Sequence, residues 1–200
     1  MKAPMASTDD SDESLMRLIK QGSHQAFAIL VRRHTERFHA AAYRMTNGAR
    51  EAEDLVQDAF LKIWQKPEIW RDDAGAKFTT WFYRILINQN TDRLRRHKKL
   101  ADGNEILEFV ADAAPNPEQK AAMTEEEIMI ESAIDSLPER QKTALNLCFY
   151  EGMSNAEAAE AMGVKVKALE SLLMRAKTGL KEFIGRNDNR LGKGKSYATR

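Results

Sequence analysis

The chain is predicted to be all-α, with two small helical domains joined by a flexible linker. Three observations predict this. Apolar residues recur at three- and four-residue intervals through most of its 200 residues, the spacing that lines one face of a helix. No segment has the alternating pattern of a strand, and no internal repeat is visible. The helical periodicity lapses between residues 100 and 116, a stretch that carries acids together with Gly103 and Pro115 and has the composition of a linker.

Residues 1–11 contain Asp9 and Asp10 but no apolar stripe and are expected to be a disordered N-terminus. The first domain is expected over 12–99. Leu15, Leu18 and Ile19 mark one helix, and Phe27, Leu30, Val31, Phe38, Ala41, Ala42 and Met45 mark a second, with a break at Gln21-Gly22-Ser23. Asn47-Gly48 is a turn signal. Leu55, Val56, Ala59, Phe60 and Ile63 then form the stripe of a third helix, which Pro67 closes. After a polar loop holding Asp72, Asp73 and Gly75, a fourth helix carries Phe78, Trp81, Phe82, Ile85, Leu86 and Leu94. It ends in Arg95-Arg96-His97-Lys98-Lys99, bases that suit the negative end of a helix dipole.

Beyond the acidic linker at 100–116, the second domain is expected over 117–185. Asn116 before Pro117, with Gln119 following, offers an N-cap, a first-turn proline and a capping partner. A helix begins after Leu137-Pro138 and runs to about Tyr150, where Gly152 ends it. Ser154 and Glu157 form a capping box for a short helix to Met162. Gly163 turns the chain into a final helix whose core face holds Val166, Leu169, Leu173, Ala176, Leu180 and Phe183. Residues 186–200 are expected to be a basic, disordered tail.

Charge is nearly balanced, with 31 lysines and arginines against 30 aspartates and glutamates, so anionic partners would have to be met by local patches rather than by the surface as a whole. Cys148 is the only cysteine, which excludes an intrachain disulfide and a cysteine-cluster zinc site; it reads as a core residue, not a nucleophile. The sequence has no signal-peptide core and no apolar run near the ~20 residues that span a bilayer, which suggests a cytoplasmic protein. His24, His34, His39 and His97 form no metal or acid–base constellation with nearby carboxylates, and His34 reads as structural. No catalytic residue, metal site or cofactor is expected, and the chain is not read as an enzyme.

The stretch SNAEAAEAMGVKVKALESLLMRAKTGL reads as a helix-turn-helix. Small side chains at Ala156, Ala158, Ala159 and Ala161 would let its first helix pack closely, and the second could enter a major groove. Lys165, Lys167, Glu170, Ser171, Met174, Arg175 and Lys177 lie off its core stripe, where early residues reach base edges and later bases reach phosphate. Glu170 would repel phosphate but can accept from the amino group of cytosine. Leu172 could thicken the core or touch a thymine methyl. A plain helical hairpin with a solvated face is the alternative.

On the third helix Asp54, Gln57, Asp58 and Leu61 share a face opposite the apolar stripe, either solvated or able to dock a partner. On the fourth, Thr80, Arg84, Asn88, Thr91 and Arg95 lie nearer the side away from the aromatics. Bases and amides beside rings suit unpaired nucleotides, yet the stripe positions of Trp81 and Phe82 make them core residues rather than stacking platforms.

In this order and spacing, AEDLVQDAFLKIW, FTTWFYRILINQNTDRLRR and LPERQKTALNLCFYEGMSNAEAAEAMGVKVKALESLLMRAK closely resemble an extracytoplasmic-function sigma factor, over roughly Asp12 to Phe183. The resemblance implies a first domain equivalent to sigma region two and a second equivalent to region four. It implies core RNA polymerase and promoter DNA as partners, with a dedicated anti-sigma factor as regulator and a role in stress response. Asp54, Gln57 and Asp58, with Leu55 and Leu61 beside them, match the surface that binds the clamp-helix coiled coil of the polymerase. The loop from Lys66 to Ala76 and the helix after it match the element that captures a flipped base of the minus-ten motif, with Lys77, Thr79, Thr80, Tyr83, Asn88, Arg95 and Arg96 as candidates. Lys165 and Lys167, and the matched positions Glu170, Ser171, Met174 and Arg175, are the minus-thirty-five candidates. The acidic linker resembles a segment that runs through the active-site and RNA-exit channels.

The chain departs from the family pattern in three places. Glu170 stands where many members carry a base, Leu172 where they often carry arginine, and Ile87 where they are frequently polar. Two other readings of the residues are a sigma-like mimic that binds only an anti-sigma factor and an ordinary helix-turn-helix repressor or activator.

Overall fold

The computed structural model describes residues 6–46, 48–71, 75, 77–102 and 124–190, with backbone alone at 98–102 and 188–190. All regular structure among them is helical. The helices are α1 (Asp12–Lys20), α2 (His24–Thr46), α3 (Ala49–Gln65), a 3-10 turn over Pro67–Ile69, and α4 (Phe78–Asp102). Then come α5 (Glu125–Asp135), α6 (Glu139–Leu145), which continues as a π-helical turn over Asn146–Tyr150, α7 (Asn155–Ala161) and α8 (Val166–Arg190). Contacts divide the chain into two compact units, the first drawn chiefly from Met1–Ala113 and the second chiefly from Ala114–Ala159 and Val164–Arg200.

In the first unit α1 begins where the Ser11 hydroxyl accepts from the Ser14 amide at 3.2 Å, with Asp12 and Glu13 in the first turn. An acceptor at the N-cap and negative charge beside it both satisfy the positive end of the helix. The helix ends at Gly22, whose positive φ of 83° lets the chain reverse into α2 at little steric cost. α2 packs against α1 and α3, and α4 packs on α2 and α3. The core is aromatic. Phe38 stacks on Phe82 at 3.9 Å between ring centroids, and Tyr83 meets it edge-on at 5.1 Å. Such pairs add about 0.5–1.5 kcal/mol beyond the area they bury.

Three boundaries differ from the sequence expectation. Residues 6–11 are not a disordered lead: Ala6 is buried, Gln25 donates to the Ala6 carbonyl at 3.0 Å, and Arg33 donates to the Thr8 carbonyl at 2.6 Å. α4 runs to Asp102, past the expected end of the domain at 99. α8 continues through Gly185 to Arg190, so the tail does not begin at 186. One glycine lowers helix stability by about 1 kcal/mol without forbidding the helix. The rest of the expected linker and the helix start at Asn116-Pro117 lie outside the described residues.

In the second unit α5 opens on a full capping box: the Thr124 hydroxyl accepts from the Glu127 amide, and the Glu127 carboxylate accepts from the Thr124 amide. These hydrogen bonds hold the Glu127 carboxyl below its ordinary value. α5 and α6 both pack on α8, around Leu137, Leu145, Ala176 and Leu180. Gly179 makes the contact close, since a Cβ there would stand 3.1 Å from Leu137 Cδ2. Lys142 is buried in α6, its ammonium 3.5 Å from Asp135 and 3.9 Å from Glu139.

Candidate nucleic-acid interface

α3 separates its two faces cleanly. Val56, Ala59, Phe60 and Ile63 are buried, while Asp54, Gln57 and Asp58 are exposed and Leu61 is 49% exposed. The Gln57 amide donates to Glu53 at 2.9 Å along the same exposed surface. Leu55 belongs with the core at 6% exposure and leaves the candidate docking set. It sits on the apolar side of the stripe, a turn from Ala59. An aromatic residue borders this face. Trp64, one turn beyond Leu61, is half-buried and packs against His24 at 4.4 Å and Phe27 at 5.1 Å.

α4 is more deeply enclosed than its apolar stripe implied. Trp81 and Phe82 are core residues, as expected, and Trp70 from the preceding loop joins them, its ring 5.2 Å from Trp81. Tyr83 is 0% exposed and Thr80 is 3% exposed, so neither presents a side chain to nucleic acid and both are corrected. Lys77, Asn88, Arg95 and Arg96 are exposed and Thr79 is half-buried. Arg84, Asn88, Thr91 and Arg95 form one exposed stripe along the helix. Arg95 stands 3.7 Å from Asp92, both well exposed, and the Thr91 hydroxyl donates to its own helix at Ile87. Ile87 is half-buried, which accounts for an apolar side chain there.

The helix-turn-helix is built as its residues require. Ser154 and Glu157 exchange hydrogen bonds at 3.0 and 3.3 Å at the start of α7, and Gly163 turns the chain with a φ of 62°. Ala158, Ala159 and Ala161 are buried, but Ala156 is exposed and is not part of the close-packing set. On α8, Leu169 and Ala176 are buried, Leu172 and Leu173 half-buried. Lys165, Lys167, Glu170, Ser171, Met174, Arg175 and Lys177 all face solvent. The Ser171 hydroxyl donates to Lys167 O at 2.9 Å, which leaves its lone pairs as acceptors. Met174 is 66% exposed, an apolar tip among polar groups.

His34 is buried as a structural residue, while Cys148, expected in the core, is only half-buried. The His34 ring is buried, with Nε2 2.8 Å from Asp12. Burial would raise the Asp12 carboxyl, but hydrogen bonds and charge from His34 and Arg33 outweigh it and hold the group below its ordinary value. Burial pushes the Cys148 thiol up, away from thiolate chemistry. Among the described residues no cluster of histidine, cysteine and carboxylate could hold a metal ion, and no helix is long and apolar enough to cross a membrane.

These surfaces fall within two family matches. The family model for sigma-70 region 2 matches residues 30–100, and that for sigma-70 region 4 matches residues 127–180. The RNA polymerase sigma-H factor of Pseudomonas aeruginosa is 30% identical over 182 residues, 86% of this chain and 93% of that protein. The ECF RNA polymerase sigma factor SigW of Bacillus subtilis is 29% identical over 174 residues, 82% of this chain and 91% of that one. The chain belongs to the extracytoplasmic-function sigma factors. Among solved structures, the sigma factor RpoE bound to the anti-sigma factor NepR, from Bartonella quintana, is similar, with a TM-score of 0.61 and 26% identity. That match covers 75% of this chain and 91% of RpoE. This sigma factor gives RNA polymerase its promoter recognition, with a region 2 fold in the first unit and a region 4 fold in the second.

Proposed function

We propose that this sigma factor is gripped by core polymerase through Asp54, Gln57, Asp58 and Leu61 of α3, and reads a two-part promoter with its two units. Lys77, Thr79, Asn88, Arg95 and Arg96 handle the minus-ten strand, and Lys165, Lys167, Glu170, Ser171, Met174 and Arg175 the minus-thirty-five duplex. The observation that carries the docking assignment is the exposed Asp54–Gln57–Asp58–Leu61 surface opposite a fully buried stripe, within the region 2 match. Two carboxylates, an amide and one apolar side chain share this face, and none of the four is buried.

At the duplex, lysines and Arg175 would meet phosphates while Glu170 accepts from a cytosine amino group, a contact that discriminates by about 1–3 kcal/mol. The Met174 tip offers apolar contact to a thymine methyl. Neither unit binds tightly alone; the polymerase fixes their separation, and avidity supplies the selectivity. The protein catalyses no step itself and works in the cytoplasm. An anti-sigma factor covers these surfaces when it is inactive, a proposal supported by the likeness to RpoE in its complex with NepR.

The test is core-binding affinity of the double variant Asp54→Ala with Gln57→Ala. Both side chains are exposed, so the fold should survive while affinity drops at least about tenfold, as for residues central to an interface. Unchanged affinity would refute the docking face.

A further inference from the structure

α4 begins on a residue whose side chain cannot cap it. The Lys77 carbonyl accepts the first intrahelical bond, from the Trp81 amide at 3.1 Å, so Lys77 occupies the N-cap position and Phe78 is the first helical residue. A lysine side chain has donors and no acceptor, so it cannot satisfy the free amides of a helix's first turn. The missing acceptor comes from another helix. Glu13 Oε1 of α1 receives the Phe78 amide at 3.3 Å, across 65 positions of sequence.

Glu13 is itself held in place. Its neighbour Asp12 accepts from Arg33 at 2.6 Å and pairs with His34 at 2.8 Å, both on α2. The His34 ring lies 5.5 Å from that of Phe78, which is fully buried. Consecutive carboxylates therefore tie the first turn of α1 to α2 and to the entry of α4. A negative group at that entry also suits the positive end of the helix dipole.

We propose that Glu13 is a positioning residue for promoter opening: by capping α4 from α1, it fixes the first turn that carries Lys77 and Thr79. The proposal rests on the assignment of those two residues to the minus-ten strand. Glu13 does not touch DNA; it sets where the residues that do are presented. Misplacement of such groups by about 1 Å costs on the order of 100-fold in other systems.

The test uses the full chain reconstituted with core polymerase on a linear promoter fragment whose start site has been mapped from transcripts. Opening is read by permanganate reactivity of thymines near the start site, and assembly by titration against fluorescent core. Glu13→Ala should open the promoter about tenfold less well, the size of one lost charge-assisted hydrogen bond, while core affinity is unchanged. Glu13→Gln keeps an acceptor oxygen and should recover most of the opening. Normal opening by Glu13→Ala, equal loss in both variants, or a loss that merely follows core affinity overturns the proposal. Lys77→Ala on the same fragment separates the two assignments. If it too opens normally, the minus-ten assignment falls; if it fails while Glu13→Ala opens normally, only the role of Glu13 falls.

Discussion

The flat stack of Phe38 on Phe82, with Tyr83 against its edge, explains why two residues expected at DNA are in the core. A single apolar stripe on α4 was legible in the sequence, and Phe78, Trp81, Phe82, Ile85 and Leu86 are buried as expected, while Leu94 farther along the helix is 36% exposed. What the spacing could not reveal is that α2, α3 and the segment around Trp70 enclose α4 over a wider arc, which takes in Thr80 and Tyr83. The Asp12–His34 pair was equally hidden, because its partners lie 22 positions apart. It has a pH signature. The Asp12 carboxyl sits below its ordinary value in the folded chain, so its contribution to stability is complete above that ordinary value, about 4. The contribution is lost as the pH falls through the lower, folded value. Asp12→Asn should therefore destabilise the protein at pH 7 and cost progressively less below about pH 4. Denaturant titrations of both proteins at pH 7 and pH 3 would reveal it, and a cost that does not change with pH would contradict the ion pair.

At the scale of the element, caps carried the most readable signal. Ser154 and Glu157 do what their spacing promised, and Gly22, Gly152 and Gly163 all have positive φ. Ser154→Ala should lower the stability of the second unit by about 1 kcal/mol, the usual loss for an N-cap hydroxyl. Thermal unfolding followed in that unit measures it, and a change within error would mean that the Glu157 carboxylate alone suffices. The Thr124–Glu127 box at the start of α5 has the same spacing as Ser154 and Glu157. The α4 entry differs: its acceptor comes from α1, and no local pattern records it.

Across the whole molecule, the docking and recognition surfaces were legible as faces, because exposure follows from where the apolar stripes lie. The assignment of exposed side chains to partners is a proposal that rests on the ordered resemblance, since a charged face reads the same whether solvated or bound. Two weakly binding units imply a further outcome. Free protein should hold promoter duplex poorly, and the binding that does occur should fall steeply between about 50 and 200 mM salt as phosphate contacts release counterions. Gel shifts with and without core polymerase test this, and tight, salt-insensitive binding by the chain alone would argue for a self-sufficient operator binder. The wide turn at Asn146–Tyr150 bears on how such a surface can change. A π turn is wider than an α turn, and adding or removing one residue of helix changes the direction of the next side chain by about 100°. Phe149 lies within this turn and is 74% exposed, so a length change of one residue there would turn a different side chain outward at the end of the helix.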